Sequence, residues 1–188
     1  FDNHLGPADI TIRPESGQVN KVTKGSPPAG ADFITFDGAQ KINLDGRAGG
    51  IGTTRNWSII NTDTTDPARV IIYKNDASHN TLNYLNIEGE SSTLHNGLVR
   101  IDAAKLLSNG KGNDSITISN SYIGDIIIGG SSNLPGIGIM CRGTIGRENQ
   151  GIIIKNNHFV DIFNMTVAAP TASILLSRGS EDFSIISN

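Results

Sequence analysis

This 188-residue chain has one cysteine, one tryptophan, five glutamates and no long apolar run, and each scarcity excludes something. A lone cysteine forbids an internal disulfide, so packing and hydrogen bonding must hold the fold. Its setting, Gly136-Ile-Gly-Ile-Met-Cys141, reads as a small buried hydrophobe rather than a reactive thiol. Leucine and glutamate, both good helix formers, number 11 and 5, and no stretch keeps a 3.6-residue apolar period over helical length. No apolar run approaches the ~20 residues of a membrane-spanning helix. With 15 Lys+Arg against 18 Asp+Glu, the chain lacks the broad basic field that draws nucleic acid or anionic membrane. His79, His95 and His158 are scattered, and no His, Cys, Asp or Glu group has metal-ligand spacing. Nucleophile elbows, phosphate loops and Cys/His catalytic arrangements are also missing.

What is abundant is isoleucine (27), glycine (22) and asparagine (19). Isoleucine suits half-buried strands, and the other two suit tight turns with unusual backbone angles. A repeat organises them. Asn113-Asp-Ser-Ile-Thr-Ile-Ser-Asn120-Ser-Tyr-Ile-Gly-Asp-Ile126 and Asn149-Gln-Gly-Ile-Ile-Ile-Lys-Asn156-Asn-His-Phe-Val-Asp-Ile162 share Asn, Ile, Ile, Asn, Asp and Ile at identical offsets, 36 residues apart. Weaker copies lie at Trp57–Asn61, Leu82–Asn86 and Phe183–Asn188. A short-strand repeat of this length predicts a β-solenoid, in which no coil buries its apolar face alone.

Strand candidates fall into pairs. Phe33–Phe36, Val70–Tyr73, Leu98–Ile101, Ile137–Cys141 and Ser173–Ser177 come first; Ile42–Leu44, Leu82–Ile87, Ile116–Ser119, Ile152–Lys155 and Phe183–Ser187 follow them. Trp57–Ile60 looks like a second-type strand without a partner, and an earlier strand ends at Pro14. The expectation is one all-β, right-handed parallel β-helix of about six coils over residues 1–188. Aligning the second strands puts Asn61, Asn86, Asn120 and Asn156 at one position, predicting a structural column whose amides bond from coil to coil at ~4.8 Å spacing. Neither end carries a polar capping repeat, so the chain is expected to be an uncapped segment of a longer protein, with further coils as neighbours.

Phe33-Ile-Thr-Phe-Asp-Gly-Ala-Gln-Lys-Ile-Asn-Leu-Asp-Gly46 resembles the opening coils of right-handed parallel β-helices of the pectin-lyase-like superfamily. With Ile10-Thr-Ile-Arg-Pro14, Leu44-Asp-Gly-Arg-Ala-Gly-Gly50 and Asn75-Asp-Ala-Ser-His-Asn-Thr-Leu82, the chain is similar to repeat regions of large secreted Bacteroidetes surface proteins exported by the type IX secretion system. The resemblance implies a secreted or outer-membrane-associated location and no fixed activity. Enzymes of the superfamily mostly cleave acidic polysaccharides. Lyases there use Asp/Glu-held calcium plus a basic residue, and hydrolases use a carboxylate pair.

Neither constellation stands out. Asp125 and Asp161 repeat at equal offsets and would stack on adjacent coils, as turn caps or as a catalytic pair; calcium enters only under the lyase reading, and no other cofactor or metal is expected. Arg142 and Arg178, in Met-Cys-Arg-Gly and Leu-Ser-Arg-Gly, form a second column, with Arg100 one position out of register and Arg147 and Lys155 expected nearby. Stacked guanidinium groups suit carboxylated or sulfated sugars. Trp57 and Tyr84 are the aromatics able to stack on sugar rings, although both sit at strand positions. Asn56, Asn113 and Asn164 match the short glycosylation pattern, and Asp114-Ser-Ile matches a short O-glycosylation signal. Two functional readings follow. The first is a non-catalytic stalk, adhesin or glycan-binding segment whose partner is acidic glycan; the alternative is a polysaccharide lyase or glycoside hydrolase acting on acidic polysaccharide.

Overall fold

Strands of three to five residues, each too short to persist alone, are joined by corners, two of which recur from level to level with residues at positive φ. The computed structural model describes residues 8–65, 68–90, 96–103, 110–125, 134–163 and 170–188. Strands come in threes: β1 (Ile10–Ile12), β2 (Lys21–Gly25), β3 (Ile34–Asp37); β4 (Ile42–Asp45), β5 (Trp57–Asn61), β6 (Ile71–Lys74); β7 (Thr81–Asn83), β8 (Leu85–Gly89), β9 (Gly97–Ile101). Then come β10 (Thr117–Ser119), β11 (Tyr122–Gly124), β12 (Ile137–Cys141); β13 (Ile152–Lys155), β14 (His158–Val160), β15 (Ala172–Leu176); and β16 (Phe183–Ile186). Every third strand returns to the same sheet, giving parallel stacks β1-β4-β7-β10-β13-β16, β2-β5-β8-β11-β14 and β3-β6-β9-β12-β15. This is a parallel β-solenoid, and the only helix among the described residues is the 3-10 turn Ala48–Gly50.

Alternation puts one face of each strand inward. Ile12, Leu44, Leu82, Ile118, Ile154 and Ile185 stand level above level in the first sheet. Ile59, Ile87, Ile123 and Phe159 do so in the second, and Ile71, Val99, Ile139 and Ile174 in the third. Most of these join one continuous apolar cluster with Phe36 stacked on Tyr73 at 4.6 Å between ring centroids. Each fully buried isoleucine contributes roughly 1.5–3 kcal/mol, so the core grows level by level.

Two corners repeat. Lys41, His79, Ser115, Gly151 and Asp182, just before the first-sheet strands, have φ of 58, 56, 54, 63 and 50°. Tyr84, Asn120, Asn156 and Ser187, just after them, have φ of 53, 53, 54 and 51°. Gly46 occupies the same position one level below Tyr84 without a positive φ, and a Cβ there would lie 1.8 Å from the Tyr84 carbonyl oxygen. Backbone bonds run straight through this second column: Gly46 N–H to Asn83, Tyr84 N–H to Ser119, Asn120 N–H to Lys155 and Asn156 N–H to Ile186.

Those corners correct the strand reading. The solenoid uses three strands per coil rather than two, and two of its stacks are five strands deep, short of six full coils. Leu82–Ile87 is two strands in two sheets, broken at Tyr84, and Trp57–Asn61 belongs to the second sheet. The expected asparagine column therefore splits. Asn120 and Asn156 do stack, the Nδ2 of Asn156 lying 3.3 Å from the Oδ1 of Asn120. Asn86 instead stands in β8 opposite Ser58 and Tyr122. Asn61 ends β5 opposite Gly25 and Gly89, donating to the Arg69 carbonyl at 2.9 Å.

The stronger amide ladders are buried ones. Asn113 accepts from the Ala77 N–H at 2.9 Å and donates to the Asp102 carbonyl at 2.6 Å, while its own N–H reaches the Asn149 Oδ1 at 2.8 Å. On the other side, Ser121 N–H bonds Asn157 Oδ1 at 3.1 Å, and Asn157 Nδ2 bonds Asn188 Oδ1 at 3.0 Å. Burial at 0% exposure also removes Asn113 as a glycosylation acceptor in the folded chain. Replacing Asn113 by Ala strips the buried Ala77 N–H of its 2.9 Å acceptor and leaves the Asp102 carbonyl with Asn149 as its one remaining amide donor. It should cost about 1–3 kcal/mol, whereas Asn156→Ala at the exposed corner should cost about 1 kcal/mol or less. Urea unfolding of the two variants measures the difference.

Candidate functional site

The outward residues at the ends of the third-sheet strands form a column of charge. Asp37 faces Lys74 in register, with 3.4 Å between carboxylate and ammonium. Asp102 follows Ile101, whose partner is Tyr73, and Arg142 follows Cys141, whose partner is Ile101. The signs thus alternate −, +, −, + up the stack, each at the level above the last. Arg178 then adds a second positive charge where alternation would call for a negative one.

A bulge sets that last position. Cys141 stands opposite Leu176, 35 residues on, yet Gly143 and Gly179, 36 apart, approach so closely that a Cβ on Gly143 would lie 1.9 Å from the Gly179 oxygen. Ser177 and Arg178 together oppose Arg142 alone, and the Gly143 N–H bonds the Arg178 carbonyl at 2.9 Å. Bulges of this kind re-aim a side chain at a sheet end. Gly179, at φ 67°, supplies the left-handed backbone that the turn after it requires.

Arg100, Arg142 and Arg178 line one open depression of about 450 Å³, together with Asp102, Ala103, Gly143, Thr144 and Ile145. Arg100 stands opposite Met140, and its buried guanidinium reaches Asp102 Oδ1 at 2.9 Å. Arg142 is half-buried and Arg178 is exposed. A turn at Thr144–Arg147 forms the lip and carries Ile145 at 74% exposure. Arg147 belongs to this turn without lining the depression, and Lys155 lies in the first sheet, paired with Ser119 and Ile186. Below the site Cys141 is buried, its thiol pushed up by burial, and it accepts from Asn149 Nδ2 at 3.3 Å.

The other candidates are placed apart from this edge. Asp125 and Asp161 occupy adjacent levels, since Gly124 pairs with Val160 and the Asp125 N–H reaches the Val160 carbonyl at 3.2 Å. Asp125 is buried while Asp161 is exposed at φ 46°, so they do not present two carboxylates to a common space. Among the described residues no group of three His, Cys, Asp or Glu is placed to hold a metal ion. Trp57 is buried, with its Nε1 bonded to Thr23 at 2.9 Å. Tyr84 carries Arg47 at 4.9 Å over its ring, and His158 packs beside Tyr122 at 5.1 Å between centroids. His95 and Asn164 lie outside the described residues.

A second depression, of about 550 Å³, was not foreseen: it is lined by Asp76, His79, Lys111, Asp114, Gln40, Ser78, Gly112 and Ser115. Asp76 Oδ1 accepts the Lys111 and Gly112 N–H groups at 3.2 Å each, and Asp114 Oδ1 accepts that of Gln150 at 3.0 Å. Burial chiefly, and the Asp76 charge, raise the Asp114 pKa against the Gln150 N–H, His79 and Lys111.

Comparison with protein-family models, curated proteins and solved structures finds no match in any of the three. Function must therefore be argued from the chemistry of these edges.

The Asp114 shift has a definite sign. The native chain holds that proton more tightly than the unfolded one, so stability is lost as pH rises from the ordinary value of 3.8 through the raised native pKa. Asp114→Asn keeps an acceptor for the Gln150 N–H and removes the ionisation. It should raise the thermal midpoint at neutral pH, with the gain vanishing below the ordinary aspartate range. Melting curves across acid and neutral pH read this directly.

Proposed function

We propose that the chain is a non-catalytic β-solenoid segment of a secreted or cell-surface protein, acting as an adhesin or stalk that binds acidic glycans along the Arg142/Arg178 edge. The observation that carries this reading is the break in charge alternation. Two arginines stand on successive levels of one open depression whose single carboxylate among the described residues, Asp102, is already engaged by Arg100. An anionic group relieves the repulsion between them and accepts paired hydrogen bonds. Levels ~4.8 Å apart suit two guanidinium groups gripping one anion rather than successive charges along a polymer. The resemblance of the repeat to Bacteroidetes surface proteins of the type IX pathway, and to pectin-lyase-like β-helices, agrees with a surface role.

The alternative, a polysaccharide lyase or hydrolase, draws on Asp76, Asp114 and His79, which line one depression with the Asp114 carboxyl shifted toward the protonated form. Release of new chain ends from acidic polysaccharide, lost in Asp114→Asn, is the result that would favour it.

For the binding reading, acidic probes on a glycan array should outcompete neutral ones, with affinity falling steeply as salt is raised. Arg142→Ala/Arg178→Ala should weaken acidic-probe binding about tenfold or more, on the scale of one or two charge-assisted hydrogen bonds. Unchanged binding in that double variant, or no preference for acid, would remove this edge as the site.

A further inference from the structure

The depression holds more than two cations, and its remaining surface specifies what accompanies the anion. Arg100 is only 8% exposed and spends its charge inward, with Nη2 at 2.9 Å from Asp102 Oδ1 and Nη1 at 3.5 Å from Asn96 Oδ1. That leaves Arg142 and Arg178 to grip the acid. Asp102 uses one carboxylate oxygen for Arg100, while its Oδ2 accepts no hydrogen bond from any described residue, on a side chain 29% exposed. An ionised carboxylate offers about four lone-pair positions, so this oxygen calls for a donor from whatever enters. Beyond it, Ala103 and the exposed Ile145 give the same depression an apolar flank.

We propose, resting on the acidic-glycan reading above, that Asp102 and Ile145 make this site selective for acidic sugars bearing an N-acyl group. The acid lies on Arg142 and Arg178, the amide N–H donates to Asp102 Oδ2, and the acyl methyl covers Ile145 and Ala103. A bare sulfate or phosphate satisfies only the arginines and meets repulsion from Asp102. A hydroxylated acid without the acyl group leaves Ile145 in water. A volume of about 450 Å³ falls in the ~300–1,000 Å³ range of small-molecule sites and takes a single sugar unit with its substituent.

Asp102→Asn gives a test whose sign depends on the ligand. Its backbone carbonyl keeps its bonds from Asn113 and Asn149, at 2.6 and 3.0 Å, so the ladder beneath is unchanged. The single amide oxygen is drawn to Arg100, which turns the NH2 group toward the depression, where it faces an incoming N–H donor to donor. Binding is measured with three immobilised probes: an N-acetylneuraminate-terminated glycan, a glucuronate-terminated glycan and a sulfated glycan without N-acyl groups. The expected result is about fivefold weaker binding of the N-acetylneuraminate probe and tighter binding of the sulfated one, as one charge-assisted bond is lost and one negative charge removed. Ile145→Ser, on an exposed turn tip that folding does not need, should weaken the N-acetylneuraminate probe about threefold and leave the sulfated probe unchanged, on the scale of a lost methyl contact.

If Asp102→Asn tightens all three probes alike, Asp102 is only a counter-charge and the N-acyl selectivity is wrong, although the arginine edge stands. If Ile145→Ser leaves the N-acetylneuraminate probe unmoved, the apolar half of the proposal falls. If Arg142→Ala/Arg178→Ala moves no probe, the anion reading itself fails, a result separable from both others.

Discussion

The left-handed corner is the constraint on which the rest of this molecule depends. A residue with a side chain pays about 1–2 kcal/mol to hold positive φ, yet the chain does so at Lys41, His79, Ser115 and Asp182 and again at Tyr84, Asn120, Asn156 and Ser187. At Lys41, His79, Ser115, Tyr84, Asn120 and Asn156 the next short strand peels into a new sheet while the corner N–H still reaches a carbonyl one level up. Without these turns the isoleucines could not converge from three sides, and a single sheet of such strands would have one bare face. The buried Asn113–Asn149 ladder, and the Ser121–Asn157 ladder that ends at the exposed Asn188, do the complementary task of satisfying backbone groups that the corners remove from the strand ladders.

Stacking also explains why a site arises where it does. In a parallel stack, residues at one strand position recur at every level, so like charges accumulate unless the sequence alternates them. Asp37, Lys74, Asp102 and Arg142 alternate. The bulge at Ser177–Arg178 ends that alternation and brings a second arginine into the depression that Arg142 lines, so one extra residue in a strand end leaves an excess of positive charge at that edge.

How much of this was legible beforehand follows from the same geometry. Strands of the third sheet announce themselves because Ile, Val and Leu alternate over four or five residues. β2, Lys21-Val-Thr-Lys-Gly25, has one apolar residue and an exposed face, so nothing marked it. Tyrosine at a left-handed corner gives no signal in sequence, and overlooking the turn at Tyr84 misaligned Asn86 with a column it does not join. Arg142 and Arg178 were visible through the 36-residue period. Asp102 precedes Arg142 by 40 residues and carries no repeat partner, so only the register reveals it. Asp125 and Asp161 were correctly assigned to adjacent levels, but burial of the first depends on chain contacts that spacing does not encode.

One contact runs along the stack instead of within it. Arg55, in the segment between β4 and β5, donates from Nε to the Asn120 carbonyl at 2.7 Å and lays its guanidinium 3.8 Å over the Tyr122 ring, two levels away. Interstrand bonds in this fold point along the solenoid axis, so tension on that axis loads one layer of them at a time. Arg55 bridges three layers and sets a longer mechanical unit in the middle of the chain: parting either interface it spans requires breaking a side-chain tie as well as the strand ladder. Under pulling, the β4–β10 portion is therefore built to yield later than the levels on either side.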